Sequence, residues 1–418
     1  MCYNKLMDND KRFVTGLDVG TENVRAVIAT VNKNGEIAIV GYNEGKSAGM
    51  RKGIPANLAG PAGAIDKMLG DAERMGGYDV RSAYVSINGS TVISTNTEGM
   101  IAVGTVEHEI DDEDLDRVED VAVSGRIPAN RDVLDVVALE YALDGQGGIK
   151  DPVGMSGARL ELRACVVSAL TPNCENLKKA TLTADVNAER LIPSVVAAAK
   201  AVLSERQKEN GVAVVDLGAA TTSVAIYEEG DLQYVGVVPV GSNNITNDLA
   251  IVLAISPELA EEIKTRFITG NFDSDKSVAI KVGKNGERTF ERKEVEEVVK
   301  ARLDEIFAEV RKKLKSAHYD QRLPEGIVLT GGGAKMRDIE LYAKKCLEAS
   351  VEVGIPKGLD GVAESIEKPE FATAIGLAMY AAESSELTTT PNKKSKKSNS
   401  KSSGSNPFGF IKKIFSKF

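Results

Sequence analysis

The stretch Val212-Ala213-Val214-Val215-Asp216-Leu217-Gly218-Ala219-Ala220-Thr221-Thr222-Ser223-Val224-Ala225-Ile226-Tyr227 reads as two apolar strands joined by a tight turn. Val212–Val215 is continuously apolar and suits a strand buried on both faces. The turn is built from Gly, Ala and Thr and opens with an acid. Small residues let a backbone approach a ligand, and their N–H groups form anion-binding nests. A carboxylate beside a phosphate needs a cation between them, so Asp216 points to magnesium, held directly or through water. The alternative is an ordinary hairpin turn with an acidic start.

The design recurs near the start of the chain. Phe13-Val14-Thr15-Gly16-Leu17-Asp18-Val19-Gly20-Thr21-Glu22-Asn23-Val24-Arg25-Ala26-Val27-Ile28 again gives apolar run, Asp-x-Gly, Thr, apolar run. A third glycine turn follows another apolar strand at Gly326-Ile327-Val328-Leu329-Thr330-Gly331-Gly332-Gly333-Ala334-Lys335. This constellation resembles the actin-like ATPase superfamily. The resemblance implies an α/β fold of two related, ribonuclease-H-like domains clamping Mg-ATP. It places Asp18, Gly20, Thr21 and Asn23 on the first phosphate loop and Asp216, Gly218, Ala219, Thr221 and Thr222 on the second. Gly241 follows at the second phosphate edge, and Gly331, Gly332, Gly333 and Lys335 lie beneath the nucleotide. Asp18 and Asp216 are the expected magnesium residues. Ala219 and Ala220 stand where glycines are usual, which is tolerable only at negative φ.

The chain has 418 residues, 42% apolar and 27% charged, which suits two or more globular domains. Cys2, Cys165, Cys174 and Cys346 form no C-x-x-C pair, and His108 and His318 are the only histidines. A Cys/His metal site or disulfide framework is therefore not expected. No apolar run reaches transmembrane length and no signal region opens the chain.

Residues 1–12 read as a polar leader. Gly41-Tyr42-Asn43-Glu44-Gly45-Lys46-Ser47 imitates a P-loop but is one residue short between its glycines. Residues 58–75 read as an amphipathic helix stopped at Gly76-Gly77. The first domain is expected over 13–81 and 168–210, interrupted by a small α+β unit at 82–167 with a helix from Asp111 to Ser124. Within it lies Leu143-Asp144-Gly145-Gln146-Gly147-Gly148-Ile149-Lys150-Asp151-Pro152-Val153-Gly154-Met155-Ser156-Gly157-Ala158-Arg159-Leu160-Glu161. Alone it is only a glycine-rich loop between strands. Together with Gly49-Met50-Arg51-Lys52-Gly53 and Ile127-Pro128-Ala129-Asn130-Arg131-Asp132-Val133-Leu134 it resembles the FtsA family of bacterial cell-division proteins. The type IV pilus protein PilM, which shares the insert, is the alternative.

The second domain is expected over 211–383, with 242–320 as its peripheral subdomain. Asn187–Leu203 turns helical after Pro193 and resembles the superfamily's connecting helix. Ile192 stands where relatives place a water-positioning glutamate, and an isoleucine neither accepts a proton nor orients water. Turnover is therefore expected to be slow at most. Glu261 and Lys264 share a helix face; the resemblance places them at the adenosine, while a surface ion pair is the simpler reading. A long helix carries an apolar stripe through Val295, Val298, Val299, Leu303, Ile306, Phe307, Val310 and Leu314. On its charged face the resemblance makes Arg302 a candidate contact for the acidic C-terminal peptide of FtsZ, the tubulin-like division protein. A helix is expected to open at Met336, and Pro369–Tyr380 is expected to be the second connecting helix.

Residues 384–407 are rich in Ser, Asn, Thr and Lys and form no core. At 408–418 Phe408, Ile411, Ile414, Phe415 and Phe418 share one helical face, Lys412, Lys413, Ser416 and Lys417 the other, with Phe410 at the border. Such a helix is about 16 Å long, too short to span a bilayer, and suits the interface of an anionic membrane. The alternatives are a disordered tail or a helix docked on its own body. The resemblance implies a filament-forming protein on the cytoplasmic face of the inner membrane at the septum. Its partners would be FtsZ, copies of itself, anionic lipid and later division proteins, with no nucleic acid. A kinase or true ATPase on the same scaffold is the competing class.

Overall fold

The computed structural model describes residues 12–267, 279–282, 288–319 and 322–386. The leader up to Lys11 and the tail from Leu387 lie outside the described residues, as do the expectations placed on them.

The chain opens with β1 (Arg12–Val19), β2 (Asn23–Val31) and β3 (Ile37–Lys46), followed by α1 (Ala59–Gly76) and β4 (Ser82–Ile87). α1 ends where Gly77 adopts φ +63° and its N–H reaches the Glu73 carbonyl at 2.7 Å, a left-handed cap that glycine adopts freely. The P-loop imitation falls on the end of β3, as its spacing required. The insert then supplies β5 (Ile93–Ala102), α2 (Asp112–Val123), β6 (Arg131–Leu143), β7 (Gln146–Ile149) and β8 (Arg159–Leu170). α2 starts in a capping box between Asp111 and Asp114. After the insert come α3 (Thr171–Thr183), β9 (Asn187–Pro193) and α4 (Ser194–Val202).

The second half repeats the first. β10 (Val212–Leu217), β11 (Thr222–Glu228) and β12 (Asp231–Val238) are followed by α5 (Ser242–Val252), α6 (Pro257–Phe267), β13 (Ala279–Val282), β14 (Arg288–Glu291) and α7 (Arg292–Ser316). Then come β15 (Ile327–Thr330), α8 (Ile339–Leu347), β16 (Val351–Val353) and α9 (Ala372–Glu386). The first sheet runs β9-β4-β1-β2-β3, the second β16-β15-β10-β11-β12, and the insert's sheet β5-β8-β6-β7. In each large sheet an antiparallel three-strand meander leads into two parallel strands. That repeated topology is the duplication anticipated from the two Asp-x-Gly hairpins.

Three boundaries differ from the sequence reading. α9 runs through Glu386, whereas the linker is expected from residue 384. β4 pairs in parallel with β1 and with β9, so Ser82–Ile87 is a central strand of the first domain and the insert begins after it. No helix opens at Met336: Gly332–Lys335 form a 3-10 turn and α8 begins at Ile339. The packing of α9 on β1 and α4 is as expected of a second connecting helix, and Asp360–Gly361 pairs with β3, so the end of the second half returns to the first domain.

One core cluster fills the first domain and reaches through α4 and α9 to Val214, Ala225 and Val237 of the second sheet. It also includes Leu134, Val137, Leu139, Cys165 and Val167 of the insert, which is thereby rooted in its host. A second cluster buries most of the anticipated stripe of α7, Val295, Val299, Leu303, Phe307, Val310 and Leu314, against Ile245, Leu249, Ala260 and Ile263. α2 covers one face of the insert's sheet.

Candidate functional site: a cleft between two mirrored hairpins

The two hairpins close in the same way. The Gly20 N–H donates to the Asn23 carbonyl and the Gly218 N–H to the Thr221 carbonyl, each at 3.0 Å. A Cβ on Gly20 would stand 2.6 Å from the Asn23 oxygen and one on Gly218 2.8 Å from the Thr221 oxygen, so both turns require glycine. Ala219 and Ala220 are not among the residues with positive φ, which satisfies the condition under which alanine replaces glycine there. Asp18 and Asp216, on the strands entering these turns, are both buried and line one cleft of about 320 Å³.

Hairpin register sets the first carboxylate's partners. Asp18 pairs with Arg25 across β1 and β2, and the guanidinium lies 3.7 Å from the carboxylate and 2.5 Å from Glu44. The Ser86 hydroxyl donates to Asp18 at 2.8 Å and accepts from the Val19 N–H at 2.9 Å. Burial raises the Asp18 pKa against the opposing pull of Arg25 and Ser86. Burial and then the negative charge of Asp18 push Asp216 up to about 7, with Arg25 and Ser194 working against them. Two buried acids on one cleft, the first raising the pKa of the second, favour a cation between them.

The third glycine turn completes the floor. Gly331 has φ +83°, and a Cβ there would stand 2.2 Å from Asp216 Oδ1, so only glycine fits. A Cβ on Gly332 would meet nothing within 4 Å, which leaves that backbone open to the cleft. Lys335 bonds Glu370 at 2.7 Å, and both line the cleft. On the opposite wall Lys264 is buried, held by Glu261 at 2.7 Å and Thr246 at 2.9 Å. Lys264 is thus the buried half of the pair, while the Glu261 side chain is 45% exposed where it meets the cleft.

Asp18, Gly20, Thr21, Asn23, Asp216, Gly218, Ala219, Thr221, Glu261, Lys264, Gly331, Gly332, Gly333 and Lys335 thus line one cleft. Thr222 and Gly241 do not line it. The Thr222 hydroxyl is buried and donates to the Val240 carbonyl at 2.8 Å. Gly241 precedes α5, where a Cβ would stand 2.6 Å from the Ala219 oxygen; both residues shape the wall from behind. Ile192 is buried and is not part of the wall, whereas Ser194 is. Sequence reasoning missed Arg25, Glu22, Ser86, Ser194 and Glu370. Only Arg25 had a readable signal, since a tight hairpin after Asp18 pairs it with that position.

Arg302 sits on α7 away from this cleft. Its guanidinium grips Asp248 at 2.6 and 3.0 Å and Glu305 at 2.5 Å, so the fork is already engaged inside the second domain.

Mirrored sheets with paired acidic hairpins over one cleft, joined by two crossing helices, define an actin-like fold. Solved structures agree on the fold. The chain is similar to the PilM-PilN type IV pilus biogenesis complex (TM-score 0.65, 18% identity, 88% of this chain and 98% of that one). It is also similar to MreB 5 of Spiroplasma citri bound to AMPPNP (TM-score 0.53, 14% identity, 90% and 98% covered). Sequence comparison narrows the class. The family described as Cell division protein FtsA matches residues 213–376, and the SHS2 domain inserted in FTSA matches residues 89–168. Cell division protein FtsA of Pseudomonas aeruginosa is 34% identical over 375 residues, covering 88% of this chain and 89% of the relative. That of Escherichia coli strain K12 is 31% identical over 386 residues, covering 90% and 91%. The chain belongs to the FtsA family of cell-division proteins. The insert match at 89–168 begins just past β4, where the sheet pairing also sets the boundary.

Proposed function

We propose that the protein binds Mg-ATP in the cleft, assembles into filaments, and ties FtsZ polymers to the inner face of the cytoplasmic membrane. The observation that carries the nucleotide reading is the facing pair of buried carboxylates, Asp18 and Asp216, on two glycine turns. Among the described residues no third acid, histidine or cysteine joins them as a metal cluster. The remaining coordination positions would be water or phosphate oxygen, which suits magnesium, an ion reluctant to shed its water. Gly331's cradle and the open backbone at Gly332 fit a ligand lying close to the floor. When bound, magnesium would neutralise phosphate charge. Asp18 and Asp216 would anchor it, Arg25 would supply a fixed positive charge, and Glu261 and Lys264 would face the nucleoside.

Hydrolysis is expected to be slow at most, because Ile192 stands where the acid would be and Glu189, the acid on the strand that leads into α4, is exposed and does not line the cleft. Family membership supports the division role, and the partner assignments rest on it. FtsZ binding near Arg302 would require its acidic peptide to share or displace Asp248, which now holds the guanidinium at 2.6 Å. Cosedimentation of the full chain with anionic vesicles, ATP and an FtsZ tail peptide, varied singly, tests the proposal. Pelleting that depends on vesicles and responds to ATP and peptide supports it. Phosphorylation of a small molecule would replace it with a kinase reading.

A further inference from the structure

One polar bond crosses between the tips of the two walls. Glu22 lies in the β1–β2 turn of the first domain, and Asn243 in the first turn of α5 in the second. Glu22 Oε2 accepts from Asn243 Nδ2 at 2.6 Å, while Oε1 takes Lys46 Nζ at 2.6 Å. Both ends have anchored backbones. The Ser47 N–H donates to the Glu22 carbonyl at 2.9 Å, and the Asn243 N–H donates to the Ala219 carbonyl at 2.8 Å. Glu22, itself in the first glycine turn, is thus fastened to the end of β3 and Asn243 to the second glycine turn, so each end follows its own wall.

From this geometry we infer that the Glu22–Asn243 bond is a clasp that gates passage of nucleotide into and out of the cleft. The inference rests on the nucleotide reading above. The cavity of about 320 Å³ exists with the clasp made, so the bond and an occupant are compatible. α4 and α9 are wedged together, with no room for a methyl between Gly376 and Ala197. The walls therefore separate most easily at their tips, where the clasp is a bond that must break; the Ser223 hydroxyl also donates to Asn88 Oδ1 across the two domains at 3.1 Å. It is charge-assisted, the stronger kind of hydrogen bond: against the opposing effect of partial burial, bonds from Lys46 and Asn243 hold the Glu22 carboxyl below its usual range.

A gate has a kinetic signature that a ligand contact lacks. If the clasp is made with the cleft empty or filled, losing it raises the open fraction in both states and speeds both rates alike. The test is stopped-flow binding of a fluorescent ATP analogue with magnesium to the full chain. The proteins are wild type, Glu22→Ala, Asn243→Ala and the double variant. Association and dissociation should both rise roughly three- to tenfold, the worth of one hydrogen bond, with Kd held within about twofold. The double variant should match the singles, because they break one bond. Faster dissociation with unchanged association would make Glu22 a ligand contact and overturn the gate, as would unchanged rates. Hydrogen exchange at residues 20–24 and 242–246 of the ligand-free protein is the second readout. It should quicken in Glu22→Ala, and unchanged exchange overturns the clasp whether or not nucleotide binds. A wild type that gives no binding signal would sink the nucleotide reading separately.

Discussion

Gly376 of α9 lies directly against the carbonyl of Ala197 in α4: a Cβ on Gly376 would stand 1.7 Å from that oxygen. On its other side α9 meets β1, where a Cβ on Gly16 would stand 2.1 Å from the Ala374 oxygen. The last described helix is therefore wedged between the first sheet and the first connecting helix, beneath the cleft. Gly376→Ala should cost about 2–3 kcal/mol or fail to fold, because neither backbone has room to retreat. Gly70→Ala, in α1 with nothing near its added methyl, should instead stabilise by roughly 0.5–1 kcal/mol. Urea midpoints of the two variants check the contrast, and equal effects would refute the wedge.

The Asp18–Asp216 pair makes stability depend on pH in a defined direction. Folding raises the Asp216 pKa from 3.8 to about 7. The folded state therefore holds a proton that the unfolded state releases. The associated stability is full below the unfolded value and is lost as pH rises toward 7. Without divalent cation, Asp216→Asn should be more stable than wild type at pH 8, by an amount on the order of a few kcal/mol. Near pH 4 the difference should vanish. Melting curves in chelator at the two pH values decide it, and a constant difference would contradict the assigned cause.

With magnesium present the same carboxylates should help rather than hurt. Asp18→Ala and Asp216→Ala should weaken ATP binding at least tenfold in magnesium while the fold persists. In chelator the gap between variant and wild type should shrink, since the lost interaction runs through the cation. Calorimetry in the two buffers measures both. Phosphate release should stay far below the ~10 per second of an ordinary enzyme, and turnover at that speed would contradict the reading of Ile192.

Much of this was legible in the chain because the decisive signals are short-range. Each Asp-x-Gly hairpin closes within a few residues, and the α7 stripe and the α2 capping box are local patterns. Ser82–Ile87 was readable as a strand but not as a central one, since its neighbours in the sheet are β1 and β9 and parallel pairing leaves no local trace. The Ser86–Asp18 and Glu22–Asn243 bonds, spanning 68 and 221 residues, were invisible for the same reason. Thr222 and Gly241 show the opposite error. They belong to the right motif, yet the backbone turns them behind the wall rather than into the cleft.

The insert should carry the head-to-tail contact of a filament, but excising 82–167 is the wrong experiment. That cut removes β4 from the middle of the first sheet and strips Leu134, Val137 and Val167 from the core. Point changes on exposed apolar residues of the insert avoid the damage. Val106 is 69% exposed and Met155 43%, and Ile110 bonds the Met155 carbonyl through its backbone, which ties the two loops together. Val106→Glu with Met155→Glu should abolish pelletable filaments while nucleotide affinity and melting temperature hold. Undiminished filaments would place the contact elsewhere on the surface.

The tail prediction rests on residues outside the described structure and on charge. From Ser384 onward the chain has eight Lys and one Glu, a net +7, whereas the rest carries 44 basic and 60 acidic residues, a net −16. An acidic body is repelled by anionic lipid and a basic tail is drawn to it. Because α9 runs through Glu386, with Ser384 buried in it, the tether is residues 387–407, with ~25 Å root-mean-square reach as a flexible coil. That exceeds a Debye length of about 8 Å, so the body's charge would not cancel the tail's attraction. A helix of eleven residues is marginal in water and folds on a surface that takes its apolar face. One such anchor binds weakly, and many anchors along one filament bind firmly through effective concentration. Phe415→Glu should therefore release the protein from anionic vesicles, and a variant that cannot polymerise should also attach less well. Vesicle flotation measures both, and truncation after Pro407 with undiminished binding would remove the tail from the mechanism.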